Sequence, residues 1–334
     1  MQLNEIWFLI VGFLFIGYFV LDGFDFGVGM SLPFLGKDDT DRRVLINTIG
    51  PVWDLNETWV LVAGASLFAS FPEWYASLFS GFYLALLLIL AALIVRGVAF
   101  EYRGKGETAR WKKTFDWMIT LGSALPALLW GVAFANIVNG VPLNAQHVYT
   151  GNLFTLLNPY GLLGGLVTLT LFFTHGLIFI TLKTEGEIKE RARQLAKKAG
   201  YVTTVLAASF LLWTLFAHFS MFGLVLTAIA ALSLIAAQAA NFANREGWAF
   251  TLLVLTIITA VGALFSALYP NVLPSTTDPS FSLTIQNASS SQYTLTVMSW
   301  VAAFMVPFVI AYQTWTYWVF RKRISRKSIP AGSH

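Results

Sequence analysis

The chain has 334 residues, of which 57% are hydrophobic and only 11% are charged, with a formal net charge of +4. Because about a quarter of the residues in soluble domains are charged, this composition excludes an ordinary soluble protein and indicates one that crosses a membrane several times. The absence of cysteine excludes disulfides, thiolate metal sites and thiolate-ligated clusters or haem. Nothing in the composition indicates a nucleic-acid partner, and none is expected.

Nine apolar windows are long enough to cross the hydrocarbon core of a bilayer, which takes about 20 helical residues. The first window is too long for a signal peptide and no small-residue cleavage site follows it, so we interpret it as a transmembrane helix. The sequence therefore predicts an all-α membrane protein with nine transmembrane helices. The windows cover residues 6–34, 51–71, 75–100, 115–138, 160–182, 201–218, 222–241, 249–269 and 293–320.

All 21 lysines and arginines lie on one side of this predicted topology. Since cationic loops stay cytoplasmic, we predict an outer N-terminus and a cytoplasmic C-terminus. An even number of helices would break the partition, so the charges also favour nine. The basic positions fall in residues 37–43, 96–113, 183–198, 245 and 321–327.

Three longer connections separate the windows. The outer segments 139–159 and 270–292 are rich in Asn, Ser, Thr and Pro, which indicates ordered turns or short caps rather than domains. The inner stretch 185–198 has a charged, helical composition. We interpret it as a solvated continuation of the fifth predicted helix.

The first window contains two aspartates in the stretch LDGFDFGVGM. A carboxylate near the bilayer centre costs about 2.5–3.5 kcal/mol on insertion scales, so Asp22 and Asp25 require an explanation. They lie about 60° apart on one helix face. Beside them, Gly23 and Gly27 have the G-x-x-x-G spacing that lets another helix approach closely. Two interpretations stay open: the acids conduct protons or cations, or they form a buried structural pair.

Further charges cluster towards the same predicted side. Asp54 and Glu57 begin the second window, where acids complement the helix dipole, although two acids exceed what a cap requires. Arg96 lies inside the third window, where it either extends towards the cytoplasm or pairs with one of the acids. Glu101 and Lys105 are four residues apart, so they can pair on one helix face. A proton carrier between the cytoplasm and a buried reaction site would have this composition.

The four histidines give little indication of a redox centre. His175 lies about 20 Å along its predicted helix, at a rise of 1.5 Å per residue, and His218 lies at the outer end of the next helix. At such different depths the two cannot clamp one haem. His147 falls in an outer loop and His334 ends the chain. A haem-free chain is therefore favoured over an autonomous b-type cytochrome.

Five stretches of the chain match a known family in order along nearly its whole length. They are LDGFDFGVGM, IGPVWDLNETW, FPEWYASLFSGFY, VRGVAFEYRGK and TVMSWVAAFMVPFVIAYQTWTYW. Together they resemble subunit II of the cytochrome bd-type quinol oxidases of bacteria. The resemblance implies oxidation of quinol, reduction of O2 to water and a proton gradient built without pumping. A proton-coupled secondary transporter is the alternative function, although the discontinuous helices and repeat symmetry of such proteins are not evident.

The resemblance also implies an architecture and a set of partners. Two four-helix bundles, in residues 1–140 and 141–270, would be followed by an outer loop, a peripheral ninth helix and a basic cytoplasmic tail in residues 271–334. The chain would form a heterodimer in the bacterial cytoplasmic membrane with subunit I, which carries haem b, haem d and the quinol site. We expect no haem or metal on this chain. Whether small accessory subunits or a structural quinone are bound stays open.

The resemblance finally assigns roles to the inner charges. In similar proteins, members of a cytoplasmic proton channel match Asp54, Glu101 and Lys105 here. Glu57, which lies beside Asp54, is the fourth residue expected to transfer protons. The residues expected to support this path as buried charges are Asp22, Asp25 and Arg96. Among these, Asp25 is the expected partner of Arg96.

Overall fold

A computed structural model describes residues 2–329, most of which are helical. The helices of this part are α1 (Leu3–Leu35), α2 (Asp39–Ile49), α3 (Trp53–Ser70), α4 (Pro72–Gly81), α5 (Tyr83–Tyr102), α6 (Ala109–Asn139), α7 (Leu153–Leu156), α8 (Pro159–Lys183), α9 (Glu187–Ala217), α10 (Met221–Phe242), α11 (Glu246–Leu268) and α12 (Gln292–Val319). Strands β1 (Asn271–Leu273) and β2 (Leu283–Thr284) pair antiparallel. Single 3₁₀ turns cover Arg103–Lys105, Pro279–Phe281 and Arg326–Ser328.

Eight helices of the described chain are long and apolar enough to cross a membrane: α1, α5, α6 and α8 to α12. They confirm an all-α membrane protein. The predicted second span coincides with α3, which is not among the eight, because Asp54, Asn56 and Glu57 make its first turns polar. The count of nine spans, their orientation and the division into two bundles stay predictions.

Two predicted boundaries were wrong. The third window is divided between α4 and α5, which meet at Phe82. The charged stretch 185–198 begins the following helix α9 rather than continuing α8, because α8 ends at Lys183 and Gly186 interrupts the chain with a φ of +70°. This left-handed backbone suits glycine, which has no Cβ to clash.

Helix α1 occupies the centre of the fold and packs against α3, α6, α8 and α11. Its predicted glycine strip is where α8 makes its closest approach. A Cβ placed on Gly27 would lie 2.0 Å from the backbone oxygen of Phe172 and 2.7 Å from Cα of Gly176. Only glycine permits this backbone contact, which confirms that the strip receives a neighbouring helix.

The two predicted outer segments form one cap over one end of the helices. The backbone N–H of Val141 donates to the carbonyl of Pro274 at 3.0 Å, and Thr276 donates back to Val141 at 3.0 Å. An imidazole nitrogen of His147 lies 2.8 Å from the carbonyl of Phe281. The segments are therefore ordered, as predicted, and they are ordered by each other.

Ion pairs connect the basic segments to one another at the opposite end. Asp41 is fully buried and binds Arg191 at 2.6 Å and Arg326 at 2.6 Å, so it joins α2, α9 and the C-terminal segment. We call this arrangement the Asp41 hub. Further pairs are Arg326–Asp38, Arg103–Asp39, Lys112–Asp39 and Lys189–Glu246. All five basic segments thus meet at one end, as the charge partition requires.

Candidate functional site

A fully buried arginine lies at the centre of the inner charges. Arg96 of α5 has no exposed side-chain surface, and its Nη2 lies 2.7 Å from Oδ1 of Asp22, which is equally buried. The same nitrogen lies 3.4 Å from Oε1 of Glu57 on α3. The ring of Phe26 covers the guanidinium at 4.4 Å. Because a charged pair is stable away from water only when it is tightly matched, this arrangement brings α1, α3 and α5 together.

Asp25 has a neutral partner. Its Oδ2 accepts a hydrogen bond from the side-chain amide of Asn56 at 2.8 Å, and the amide oxygen of Asn56 accepts one from the Tyr317 hydroxyl at 2.7 Å. The expected pairing of Asp25 with Arg96 was wrong. The rotation of α1 directs Asp22 towards α5 and Asp25 towards α3, so Asp22 binds the arginine. We call Asp22, Asp25, Glu57 and Arg96 the buried cluster.

The other three predicted proton-transfer residues lie at the surface of the chain. Asp54, Glu101 and Lys105 are exposed, at the polar ends of α3 and α5; we call them the surface trio. Oδ1 of Asp54 accepts only the N–H of the next residue, and the ammonium of Lys105 lies 4.4 Å from the centre of the Tyr102 ring. The described chain shows no ion pair between Glu101 and Lys105, contrary to expectation. Helix α5 ends at Tyr102, so the α-helical spacing does not continue to Lys105.

A second charged network at the same end escaped the sequence analysis. Arg103 binds Asp116 at 2.6 Å and Asp39 at 2.8 Å, and Lys112 binds Asp39 at 3.0 Å. Burial acts to raise the pKa of Asp39, but hydrogen bonds from Lys112 and Arg103 outweigh it, so that pKa lies below its ordinary value. A single acid among basic residues at the start of α6 was the available signal for Asp116. The network fixes the loop that carries Lys105.

Asn56 and Tyr317 were not among the predicted site residues. Neither residue can ionise near neutral pH in water, so a census of charges passes over both. Asn56 is fully buried in the first turns of α3, where a polar residue without an exposed face requires a partner. That burial could have been anticipated only by knowing which face of α3 meets α1.

Sequence similarity extends over nearly the whole chain. Residues 3–320 match the profile of the family described as cytochrome bd terminal oxidase subunit II. The chain belongs to this family. It is 42% identical over 331 residues to cytochrome bd ubiquinol oxidase subunit 2 of Bacillus subtilis, with 98% of each chain covered. It is 40% identical over 370 residues to cytochrome bd-I ubiquinol oxidase subunit 2 of Escherichia coli K12, with 99% of this chain and 98% of the relative covered.

A solved structure shares the fold. The bd oxidase of Geobacillus thermodenitrificans contains a chain that superposes with a TM-score of 0.76 at 18% identity, covering 96% of this chain and 100% of the other. With the family established, this chain is a multi-pass cytoplasmic membrane protein of a respiratory terminal oxidase. Family membership favours this function over the secondary transporter considered from sequence.

The histidines of this subunit II chain contact different parts of the fold. An imidazole nitrogen of His175 lies 3.1 Å from the carbonyl of Val20 within the helices, whereas His147 belongs to the outer cap. His218 ends α9. In the described residues, no group of three or more His, Cys, Asp or Glu side chains is arranged to hold a metal ion. His334 lies outside the described residues.

An apolar cavity of about 60 Å³ lies between α6, α8, α9, α10 and α11. Its walls include Phe172, Phe210 and Leu234, with Thr168 as one of few polar residues. An engineered cavity that admits benzene measures about 150 Å³, so a quinone ring would require these walls to move. The structural quinone considered from sequence therefore stays a prediction, without an assigned position.

Proposed function

We propose that this chain is the haem-free second subunit of a quinol:oxygen oxidoreductase. Two relatives are named as subunit 2 of ubiquinol oxidases, and this supports the same reaction for the complex that contains this chain. Quinol is oxidised, O2 is reduced to water, and a proton gradient forms without pumping. Haem b, haem d and the quinol site belong to subunit I, and this chain stabilises that subunit as its heterodimeric partner.

The helix surfaces support this partnership. Helix α12 is almost entirely exposed in the isolated chain, with Leu295, Gln313 and Thr316 as its only described buried residues. Apolar helices with so little internal contact must face lipid or another membrane protein. In the proposed topology nine helices form two four-helix bundles, α12 is the peripheral one, and the ion-paired end faces the cytoplasm.

The proposed proton path begins at the surface trio. Asp54, Glu101 and Lys105 lie at the inner ends of membrane helices yet remain exposed, which is the observation that carries this proposal. Ionisable groups at such a depth are costly unless they meet water or a polar partner. Glu57 follows Asp54 by three residues, so the two are neighbours on α3. Glu57 belongs to the buried cluster through its contact with Arg96, so it connects the trio to that cluster.

Replacement of Asp54 by Asn tests the path. The amide is nearly isosteric but cannot carry a proton, so we expect quinol-driven oxygen uptake by the assembled complex to fall several-fold. The haem absorption spectrum should be unchanged, because the side chain is exposed. Glu107→Gln, a change to another exposed acid at this end, is the matched control and should leave uptake unaffected. Full oxygen uptake by Asp54→Asn with intact haem spectra would remove Asp54 from the path.

A further inference from the structure

The buried cluster contains more acid than base. Three carboxyl groups, those of Asp22, Asp25 and Glu57, surround one guanidinium. Asp22 and Asp25 have no exposed surface, and the side chain of Glu57 is 20% exposed. With every group ionised, the cluster would carry two uncompensated negative charges inside the membrane. An unpaired buried carboxylate is so costly that the group takes up a proton instead.

The hydrogen bonds indicate which acid is neutral. Arg96 forms ion pairs with Asp22 and Glu57, whereas the only hydrogen bond of Asp25 comes from the uncharged amide of Asn56. Three carboxyl oxygens of the cluster are buried without a hydrogen bond: Oδ2 of Asp22, Oδ1 of Asp25 and Oε1 of Glu57, the last of which lies 3.4 Å from Nη2 of Arg96. Nε and Nη1 of Arg96 also have no hydrogen-bond acceptor. With both aspartates ionised, Oδ2 of Asp22 and Oδ1 of Asp25 would be acceptors that no hydrogen bond satisfies. A proton on either oxygen would supply the missing donor.

Helix geometry keeps the two side chains close, although Oδ1 of Asp22 and Oδ2 of Asp25 bind different helices. Residues three apart on a helix are neighbours, with Cβ atoms about 5–6 Å apart, a separation that two carboxyl groups can bridge. We propose that Asp22 and Asp25 share one proton in the folded protein at neutral pH. Oδ1 of Asp25 bears it and donates to Oδ2 of Asp22, while Oδ1 of Asp22 remains bound to Arg96.

The neighbouring elements supply no other counter-charge. The polar and titratable groups that face the pair are Tyr18 of α1, Asn56 and Glu57 of α3, Arg96 of α5 and Tyr317 of α12. The Tyr18 hydroxyl accepts a hydrogen bond from Trp130, and the Tyr317 hydroxyl donates one to Asn56. Two carboxyl groups in one site commonly hold a single proton, because two negative charges at close range repel each other.

The inference deepens the proposed proton path and rests on it for its functional meaning. Asp22 and Glu57 bind the same nitrogen of Arg96. A proton that reaches Glu57 removes a negative charge that competes with the pair for Arg96. The shared proton is thus a reservoir beside the path. It supplies one bound proton that the surface trio, which is open to water, cannot retain.

Infrared spectroscopy of the purified complex tests the shared proton directly. An ordinary exposed aspartate is ionised at pH 7, so a carbonyl stretch of a protonated carboxylic acid there reports a neutral acid. We expect the wild-type minus Asp25→Asn difference spectrum to contain this band, and D2O to shift it to lower frequency. Asp25→Glu should keep the band at a shifted position. Asp54→Asn is the matched control and should leave it unchanged.

The outcomes separate the two proposals. Difference spectra that show only ionised carboxylate bands, for Asp25→Asn and for Asp25→Glu, would overturn the shared proton. The Asp25→Glu comparison and the wild-type response to D2O serve if Asp25→Asn fails to assemble with haem. Undiminished oxygen uptake in Asp54→Asn, with the Asp25 band present, would remove the path and leave the shared proton. Reduced oxygen uptake in Asp54→Asn, without a band from Asp25, would leave the path and remove the shared proton.

Discussion

The buried cluster and the surface trio contain similar residue types but differ in every physical respect. In the cluster, Arg96 and Asp22 are closed off from solvent and 2.7 Å apart. In the trio, Asp54 and Lys105 are exposed and have no ion pair in the described chain. Buried charges fix the positions of helices because any displacement leaves a charge unpaired. Exposed charges can exchange protons with their surroundings, so we expect the cluster to fix helix positions and the trio to serve in proton transfer.

The largest effect is expected from Arg96→Met. This change leaves Asp22 buried without its partner, so the acid must either stay ionised at high cost or take up a proton, and breaking a buried ion pair in this way costs about 3–5 kcal/mol. We expect much less assembled complex and a lower unfolding temperature, measured by haem content after purification and by thermal unfolding. Lys105→Met is the matched control. It removes an exposed cation, whose pairing is worth about 0–1 kcal/mol.

Equal losses from the two variants would show that burial does not distinguish the regions. A companion variant sharpens the test: Asp22→Leu combined with Arg96→Met replaces the pair by apolar groups. Because such replacements are often neutral or stabilising, the double variant should assemble better than Arg96→Met alone. A double variant as poor as the single one would mean that the cluster has a role beyond pairing.

A smaller effect is expected from Tyr317→Phe, which removes the hydroxyl that donates to Asn56. Hydrogen bonds between membrane helices are worth about 0.6 kcal/mol on average, so thermal stability should fall slightly and haem content should not. Tyr312→Phe is the control, since the Tyr312 side chain is 57% exposed on the same helix. A loss as large as that of Arg96→Met would show that α12 holds the cluster together.

The smallest effect concerns acid. The pKa of Asp39 lies below its ordinary value of 3.8, so Asp39 contributes its full stabilisation above pH 3.8 and loses it as the pH falls through the lowered pKa. Asp39→Asn should therefore reduce stability slightly at neutral pH and flatten the acid side of the stability curve. Thermal unfolding across this pH range measures both. An unchanged curve would show that Lys112 and Arg103 do not stabilise the ionised acid.

Helix positions followed from sequence because apolar length alone decides them. The ends of windows 160–182, 222–241 and 293–320 each differ by one residue from those of α8, α10 and α12. The partners of charges were less predictable. Asp22 and Asp25 lie on one face, and only the rotation of α1, fixed where Gly27 meets α8, decides which acid turns towards Arg96. Such rotation depends on contacts between distant segments, which periodicity does not encode.

The Asp41 hub has a consequence for the order in which the protein is made. Arg191 and Arg326 pair with this buried acid. Arg191 lies near the start of α9, and Arg326 follows α12. During synthesis Asp41 is therefore made before both arginines. Its two ion pairs can be complete only after α12 has been translated and inserted. A polypeptide that stops before Arg326 would lack one of the two ion pairs of Asp41. The last residues of the described chain are therefore needed to complete the ion pairs that close this end of the fold.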